Sequence, residues 1–386
     1  MNPILQHSYH IIDNYQGQEP LANFLKAFFK LHSKLGSRDR KIISDIVYSY
    51  YRCAKSFDAA AIEKEEIIRI SYGLCGKFQA WAQKFIPHYF EKDGLSFEEK
   101  LQVLKEKNID FNTNITLDAD ITFSKGITKE QWLFSMYTQP LVFIRLMGNN
   151  KPQILNKLKA KGIEYDVVND KCVSLAPSTK LGEILWESEY NIQDISSQST
   201  GDFFHFSPNS TVWDCCAGAG GKSLLIKELN PKVKLTVSDK RASILENLLE
   251  RFQIYQFSRP TYFQLELDKT PIDISELGDT TFDVIVCDAP CSGSGTWART
   301  PENFHFFESE TISQFSANQN NIASNALPFL NKGGTFIYIT CSVFEAENEN
   351  IVKQLISTYN LTLKHQVLIN GIENRADSLF VAVIEK

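Results

Sequence analysis

From about Tyr190 to its carboxyl end the chain alternates short apolar runs with amphipathic ones, and nothing else constrains its fold as tightly. The pattern predicts extended segments over 211–215, 234–238, 261–267, 282–287, 335–339, 361–368 and 379–384. It predicts helices over 222–229, 242–252, 310–330 and 345–357. Strands that alternate with helices build a mostly parallel sheet covered by helices, because a parallel pair needs a long crossover. The last two strands have no helix between them and should pair antiparallel. The expected fold class is therefore α/β, with a Rossmann-like seven-stranded sheet.

Upstream, the pattern changes twice. Residues 1–135 read as an all-helical domain. Residues 21–31 have amphipathic spacing, and 36–51 form a second helix with Ile42, Ile43, Ile46, Val47 and Tyr50 as its buried stripe and Ser37 placed to cap it. Residues 139–185 read as a small α+β subdomain: a strand over 141–146, a helix over 152–161 stopped by Gly162, and a hairpin from 164–168 and 171–175. With 190–386 this gives three domains, in keeping with 386 residues.

Composition removes several classes of function. No run reaches the roughly 18 apolar residues that span a bilayer, and the start has no basic and apolar leader, so a cytoplasmic protein without membrane contact is expected. Eight cysteines in so long a chain are no disulfide scaffold. No Cys-x-x-Cys pair occurs and the histidines lack ligand spacing, so no metal is expected. Cys53, Cys75, Cys172 and Cys287 fit buried apolar positions; Cys291, framed by Pro290 and Gly293, does not. The net charge of −6 disfavours a generic nucleic-acid binder, but basic residues cluster between Lys26 and Lys55, including Arg38, Arg40 and Lys41, and again from Arg145 to Lys161. Such clusters are the footprint of phosphate binding.

Ligands of open α/β sheets bind beyond the carboxyl ends of the strands. Five such ends here carry chemistry. After the first strand comes Asp214-Cys-Cys-Ala-Gly-Ala-Gly-Gly-Lys222, with Cys216, Ala217, Gly218, Ala219, Gly220 and Gly221 in a turn that lets backbone approach a ligand. It lacks the P-loop spacing. Asp239 ends the second strand, where a ribose hydroxyl would be bound, and Asp268 ends the third, suited to an adenine amino group. The fourth and fifth strands lead into Asp288-Ala-Pro-Cys-Ser-Gly-Ser-Gly295 and Thr340-Cys-Ser342. Two thiols at the mouth of a cofactor cleft suit covalent catalysis on a pyrimidine. A thiolate adding to carbon 6 makes carbon 5 nucleophilic enough to take a methyl group, and a donor at the ring's N3/O2 edge takes up the developing charge. Asp288 could be that donor if protonated or if paired with a backbone donor. The residues alone do not say which cysteine attacks.

In these three motifs, the last extended to Thr-Cys-Ser-Val-Phe-Glu-Ala-Glu-Asn-Glu349, the chain resembles the Sun/Fmu family of RNA cytosine-5 methyltransferases. The motifs stand in family order over 190–386, and the layout is that of a class I S-adenosylmethionine-dependent methyltransferase. The resemblance implies that Cys341 attacks the base and Cys291 assists release of the product. It implies that the positions from Asp214 to Lys222, with Asp239, Asp268 and Asp288, contact S-adenosylmethionine, and that Arg299 meets RNA phosphate or orients its loop. It extends more weakly upstream, where 36–41 resembles a NusB-like helical RNA-binding domain and 139–180 a small RNA-recognition-like subdomain. Ala219 departs from the proline common in the family. The expected protein is an RNA cytosine-5 methyltransferase acting on small-subunit rRNA, as a monomer. The alternatives are a tRNA cytosine-5 enzyme and a non-catalytic RNA-binding protein of the same fold. An amino-group methyltransferase would read Asn/Asp-Pro-Pro-Tyr/Phe at the fourth strand.

Overall fold

A computed structural model describes residues 2–76, 90, 94–118, 120–148, 150–177, 179–269 and 277–386. Residues 77–89, part of the expected helical half, lie outside the described residues. The chain forms two compact units. One comprises Met1–Asp118, Thr128–Gln139 and Thr296–Glu308; the other comprises Ala119–Ile127, Pro140–Gly295 and Ser309–Lys386.

The first unit is helical among its described residues. Helix Leu21–Leu31 buries Leu21, Leu25, Phe28 and Phe29 on one face, as its spacing requires. Helix Ser37–Cys53 buries the predicted stripe. Its cap differs from expectation: Gly36 holds the capping position without a side-chain bond, and Ser37 is already the first helical residue. The short helix Pro301–His305 belongs to this unit because its aromatic neighbours do. Trp297 and Phe304 are buried, with ring centroids 5.6 and 5.3 Å from that of Trp132, and Phe306 lies 5.6 Å from Tyr15. Glu302, also buried, accepts from the Leu21 N–H. The sequence reading kept this segment with the methyltransferase domain, because nothing local marks an excursion.

The second unit carries two sheets. Strands β1 (Val142–Leu146), β2 (Tyr165–Val167), β3 (Cys172–Leu175) and β4 (Tyr190–Ile192) form an antiparallel sheet in the order β2-β3-β1-β4. Helix Lys151–Ala160 buries Ile154 and Leu158 against Ile144, Leu146, Val173 and Leu175, and Gly162 follows it at φ +65°. The fourth strand was not expected, so the anticipated boundary between 185 and 190 falls at the edge of this sheet.

The large sheet consists of β5 (Thr211–Asp214), β6 (Lys234–Asp239), β7 (Thr261–Gln264), β8 (Phe282–Asp288), β9 (Leu330–Thr340), β10 (Thr362–Ile369) and β11 (Leu379–Glu385). Its order is β10-β11-β9-β8-β5-β6-β7. β5 through β9 pair in parallel, and β11 pairs antiparallel with both β9 and β10, as expected. Helices Gly221–Leu229 and Ala242–Ile254 press Leu224, Ile226, Leu245, Leu248 and Phe252 onto Val212, Val237 and Val286. The order reverses between β5 and β8, which places a crevice at their carboxyl ends. The helix expected over 345–357 is interrupted. A short 3-10 turn, Glu345–Glu347, comes first, Asn348 leaves helical geometry (φ −115°, ψ −96°), and the α-helix runs Glu349–Tyr359.

Candidate active site

A cleft of about 540 Å³ opens at those strand ends. It brings together Cys216, Ala217, Gly218, Ala219, Gly221, Lys222, Asp239, Asp268, Asp288, Cys291 and Cys341. Gly218 and Gly220 have φ of +52° and +85°, which only glycine adopts without strain. Gly220 faces away: a Cβ there would stand 2.8 Å from Leu248, so this glycine serves packing and does not line the cleft. Arg251 donates to the Ala219 carbonyl and to Asn191 Oδ1 on β4, holding the loop from outside at the position that departs from the family.

The acids differ from one another in role. Asp214, expected at the cofactor, is fully buried behind the loop and does not line the cleft. Ser223 donates to it at 2.5 Å, and burial pushes its carboxyl up to about 7. Asp239 accepts four hydrogen bonds, from the Gly218 N–H (3.0 Å) and from the Arg241 N–H and guanidinium. Burial raises its carboxyl, but these bonds outweigh burial and hold it below the usual value. Arg241, more than half exposed, is the donor with room to leave. Asp268 accepts from Lys240 at 2.9 Å. Asp288 accepts from Lys222 Nζ at 3.0 Å, so its partner is a side-chain ammonium and not the backbone donor considered above. Sequence reading missed Lys240, Arg241, Leu265, Leu267 and Ile322 among the lining residues. The first two directly follow Asp239 and were legible as its neighbours, whereas Ile322 comes from helix Glu310–Ala326 and had no local signal.

At the mouth, Cys291 and Cys341 stand with their sulfurs 3.2 Å apart. The Cys341 sulfur beside it, and burial after that, push the Cys291 thiol up. Gly295 lets the two loops meet: its N–H donates to the Cys341 carbonyl at 2.9 Å, and a Cβ would lie 2.1 Å from the Ser378 carbonyl. Cys287 is buried as expected, but its sulfur clusters with those of Cys215 and Cys216 within 4.8 Å, close enough to share a soft metal ion. The sequence spacing had pointed to no metal. Close packing of small thiols beneath the loop accounts for the cluster equally well.

The residues expected at RNA fall elsewhere. Arg38, Arg40, Lys41 and Arg299 all belong to the helical unit. Arg38 and Lys41 are exposed. Arg40 is half-buried and donates to the Leu35 and Ser33 carbonyls, so it holds the turn before its helix. Arg299 is half-buried. The second basic cluster is largely paired. Arg145 is buried in an ion pair with Glu228, Lys151 lies 3.6 Å from Asp170, and Lys157 lies 2.6 Å from Glu189. No helix among the described residues is long and apolar enough to cross a membrane.

Residues 203–377, which contain all the strand-end motifs, match the family described as 16S rRNA methyltransferase RsmB/F. Over that stretch the chain is similar to the RsmB/F methyltransferases. A probable ribosomal RNA small subunit methyltransferase B of Bacillus subtilis is 27% identical over 56% of this chain and 48% of its own length. Ribosomal RNA small subunit methyltransferase B of Yersinia enterocolitica is 29% identical over 60% of this chain and 55% of its own. The chain thus spans about half the length of the curated relatives it matches. Its fold, in contrast, is shared end to end with the crystal structure of PH0851, with a TM-score of 0.71, 99% of this chain and 98% of that one covered, and 16% identity. The RsmB/F stretch has the class I methyltransferase fold.

Proposed function

We propose that the protein transfers a methyl group from S-adenosylmethionine to carbon 5 of cytosine in structured RNA, small-subunit rRNA foremost, through a covalent adduct on Cys341. The observation that carries this reading is the pair of thiols 3.2 Å apart at the mouth of a glycine-lined cleft. The cleft fits the cofactor: a Cβ at Gly218 or Gly221 would enter open space on the ligand side, so backbone approach is unobstructed there. Asp239 would take the ribose hydroxyls once Arg241 swings out, and Asp268 would face the adenine. S-adenosylmethionine, when bound, supplies the methyl group.

The chain's own residues do the rest. Cys341, as thiolate, adds to carbon 6 and makes carbon 5 a nucleophile. Lys222, held against Asp288, offers an N–H donor for the charge that develops on the ring. After methyl transfer, a water molecule takes the carbon 5 proton. The electron pair of that C–H bond restores the 5,6 double bond and expels the Cys341 sulfur as thiolate, and Cys291 assists that release. The exposed Arg38 and Lys41 of the helical unit are proposed to contact RNA phosphate.

With tritium-labelled cofactor, the label should appear as 5-methylcytidine in RNA. Cys341→Ala should abolish transfer while leaving cofactor affinity within a factor of about three, under ~0.7 kcal/mol. Cys291→Ala should accumulate an RNase-sensitive protein–RNA adduct on denaturing gels. An adduct from Cys341→Ala and none from Cys291→Ala reverses the two roles; label confined to purines sinks the reading.

A further inference from the structure

Ser292 and Ser342 each directly follow one of the two cysteines, and a single side chain grips both. Glu347 is fully buried in the turn that interrupts the expected helix. Its Oε1 accepts from the Ser292 N–H at 2.8 Å and from Gln319 Nε2 at 2.9 Å. Its Oε2 accepts from Ser292 Oγ at 2.6 Å and Ser342 Oγ at 2.5 Å. Four donors match the lone-pair capacity of a carboxylate. Gln319 also donates to the Pro290 carbonyl (3.0 Å), so the residue before Cys291 is tied in too. The turn itself is anchored, since Tyr338 donates to the Glu347 carbonyl at 2.7 Å and Asn348 donates to the Ser342 carbonyl at 2.9 Å.

Hydrogen bonds to an ionised acceptor are shorter and stronger than neutral ones, and more so away from water. A buried carboxylate stripped of a donor is costly, so each of the four bonds is favoured by the other three. We propose that Glu347 is the positioning residue of the reaction: from a site that solvent and base never reach, it fuses the two Cys-Ser dipeptides into one body, so that both sulfurs meet the same pyrimidine. Its charge also faces Cys291 and adds to the effects that keep the proton on that thiol. The inference rests on the methyltransferase reading above.

The test separates the two ideas by using one readout that needs neither RNA nor cofactor. Diamide takes two hydrogens from adjacent thiols and leaves a disulfide, and peptide mapping of the full-length protein follows the Cys291–Cys341 bond. In Glu347→Gln that bond should form at least about fivefold more slowly, because the effective concentration of one thiol at the other depends on fixed geometry. On in vitro transcribed small-subunit rRNA, kcat should fall about 30- to 100-fold, the effect of misplacement by about 1 Å. The KM for RNA and the cofactor Kd should stay within about threefold, since no binding contact is removed. Should Glu347→Gln fail to fold, Ser342→Ala cuts only the Cys341 arm of the clamp. It should slow the disulfide about threefold and lower kcat about tenfold, or ~1.4 kcal/mol. An unchanged disulfide rate overturns the proposal whatever kcat does, and so does a slower disulfide with kcat intact or a loss confined to KM. Wild-type protein that makes no 5-methylcytidine, with the disulfide contrast preserved, would sink the methylation reading and leave the clamp standing.

Discussion

Asp214 shows what burial does to a single side chain at this site. Its carboxyl titrates near 7 in the fold, well above the value of about 3.9 in an unfolded chain. The folded state therefore holds the proton more tightly than the unfolded state between those values. The stability this contributes is complete below about pH 4 and is lost as the pH rises through about 7. Asp214→Asn keeps an acceptor for Ser223 and cannot ionise. Urea midpoints measured from pH 4 to 8 should thus fall for the wild type relative to the variant as the pH rises, and parallel curves would refute the assignment. At this scale the sequence was most legible where chemistry is local. The glycines, both cysteines and the strand-end acids Asp239 and Asp268 lie within a few residues of the motifs that revealed them. Their partners were harder to read. Nothing around Glu347 announces that it accepts from Ser292, and nothing in the sequence says which of the strand-end aspartates turns inward.

Elements were legible in proportion to their length and period. All seven strands of the large sheet appear in the sequence as apolar runs, although β7 stops at Gln264 and β9 starts at Leu330. β4 has three residues and no alternation, so only its partner β1 defines it. Basic clusters were read by charge alone, and charge does not reveal a partner from another element. Arg145 points to Glu228, and Arg40 is spent on the turn that starts its own helix. Of the first cluster, Arg38 and Lys41 remain exposed on helix Ser37–Cys53. Replacing both by alanine should weaken RNA binding and reduce the slope of log affinity against log salt by about 0.7–0.9 per lost phosphate contact. Cofactor affinity should not change. An unaltered slope would mean that this helix face is merely solvated.

At the scale of the whole molecule, the two units are not consecutive in sequence. Thr296–Glu308 leaves the second unit just after the Cys291 loop and supplies the first with Trp297, Glu302, Phe304 and Phe306. A fragment ending at residue 139 keeps Trp132, Tyr15 and the Leu21 N–H but loses their partners. Burying an aromatic side chain contributes on the order of 2–3 kcal/mol, so the fragment should melt well below the intact helical unit. A synthetic peptide of residues 296–308 should raise its melting temperature in a concentration-dependent way; no shift at saturating peptide would count against a shared core. The ribosome meets the same constraint in time. The helices before residue 139 must wait, with an unfilled aromatic socket, until Glu308 has left the exit tunnel. By then β5 to β8, with the glycine loop and Cys291, have already emerged. The amino-terminal unit is therefore finished late in synthesis, and a chaperone that shields exposed aromatic surface would find it open for most of that interval.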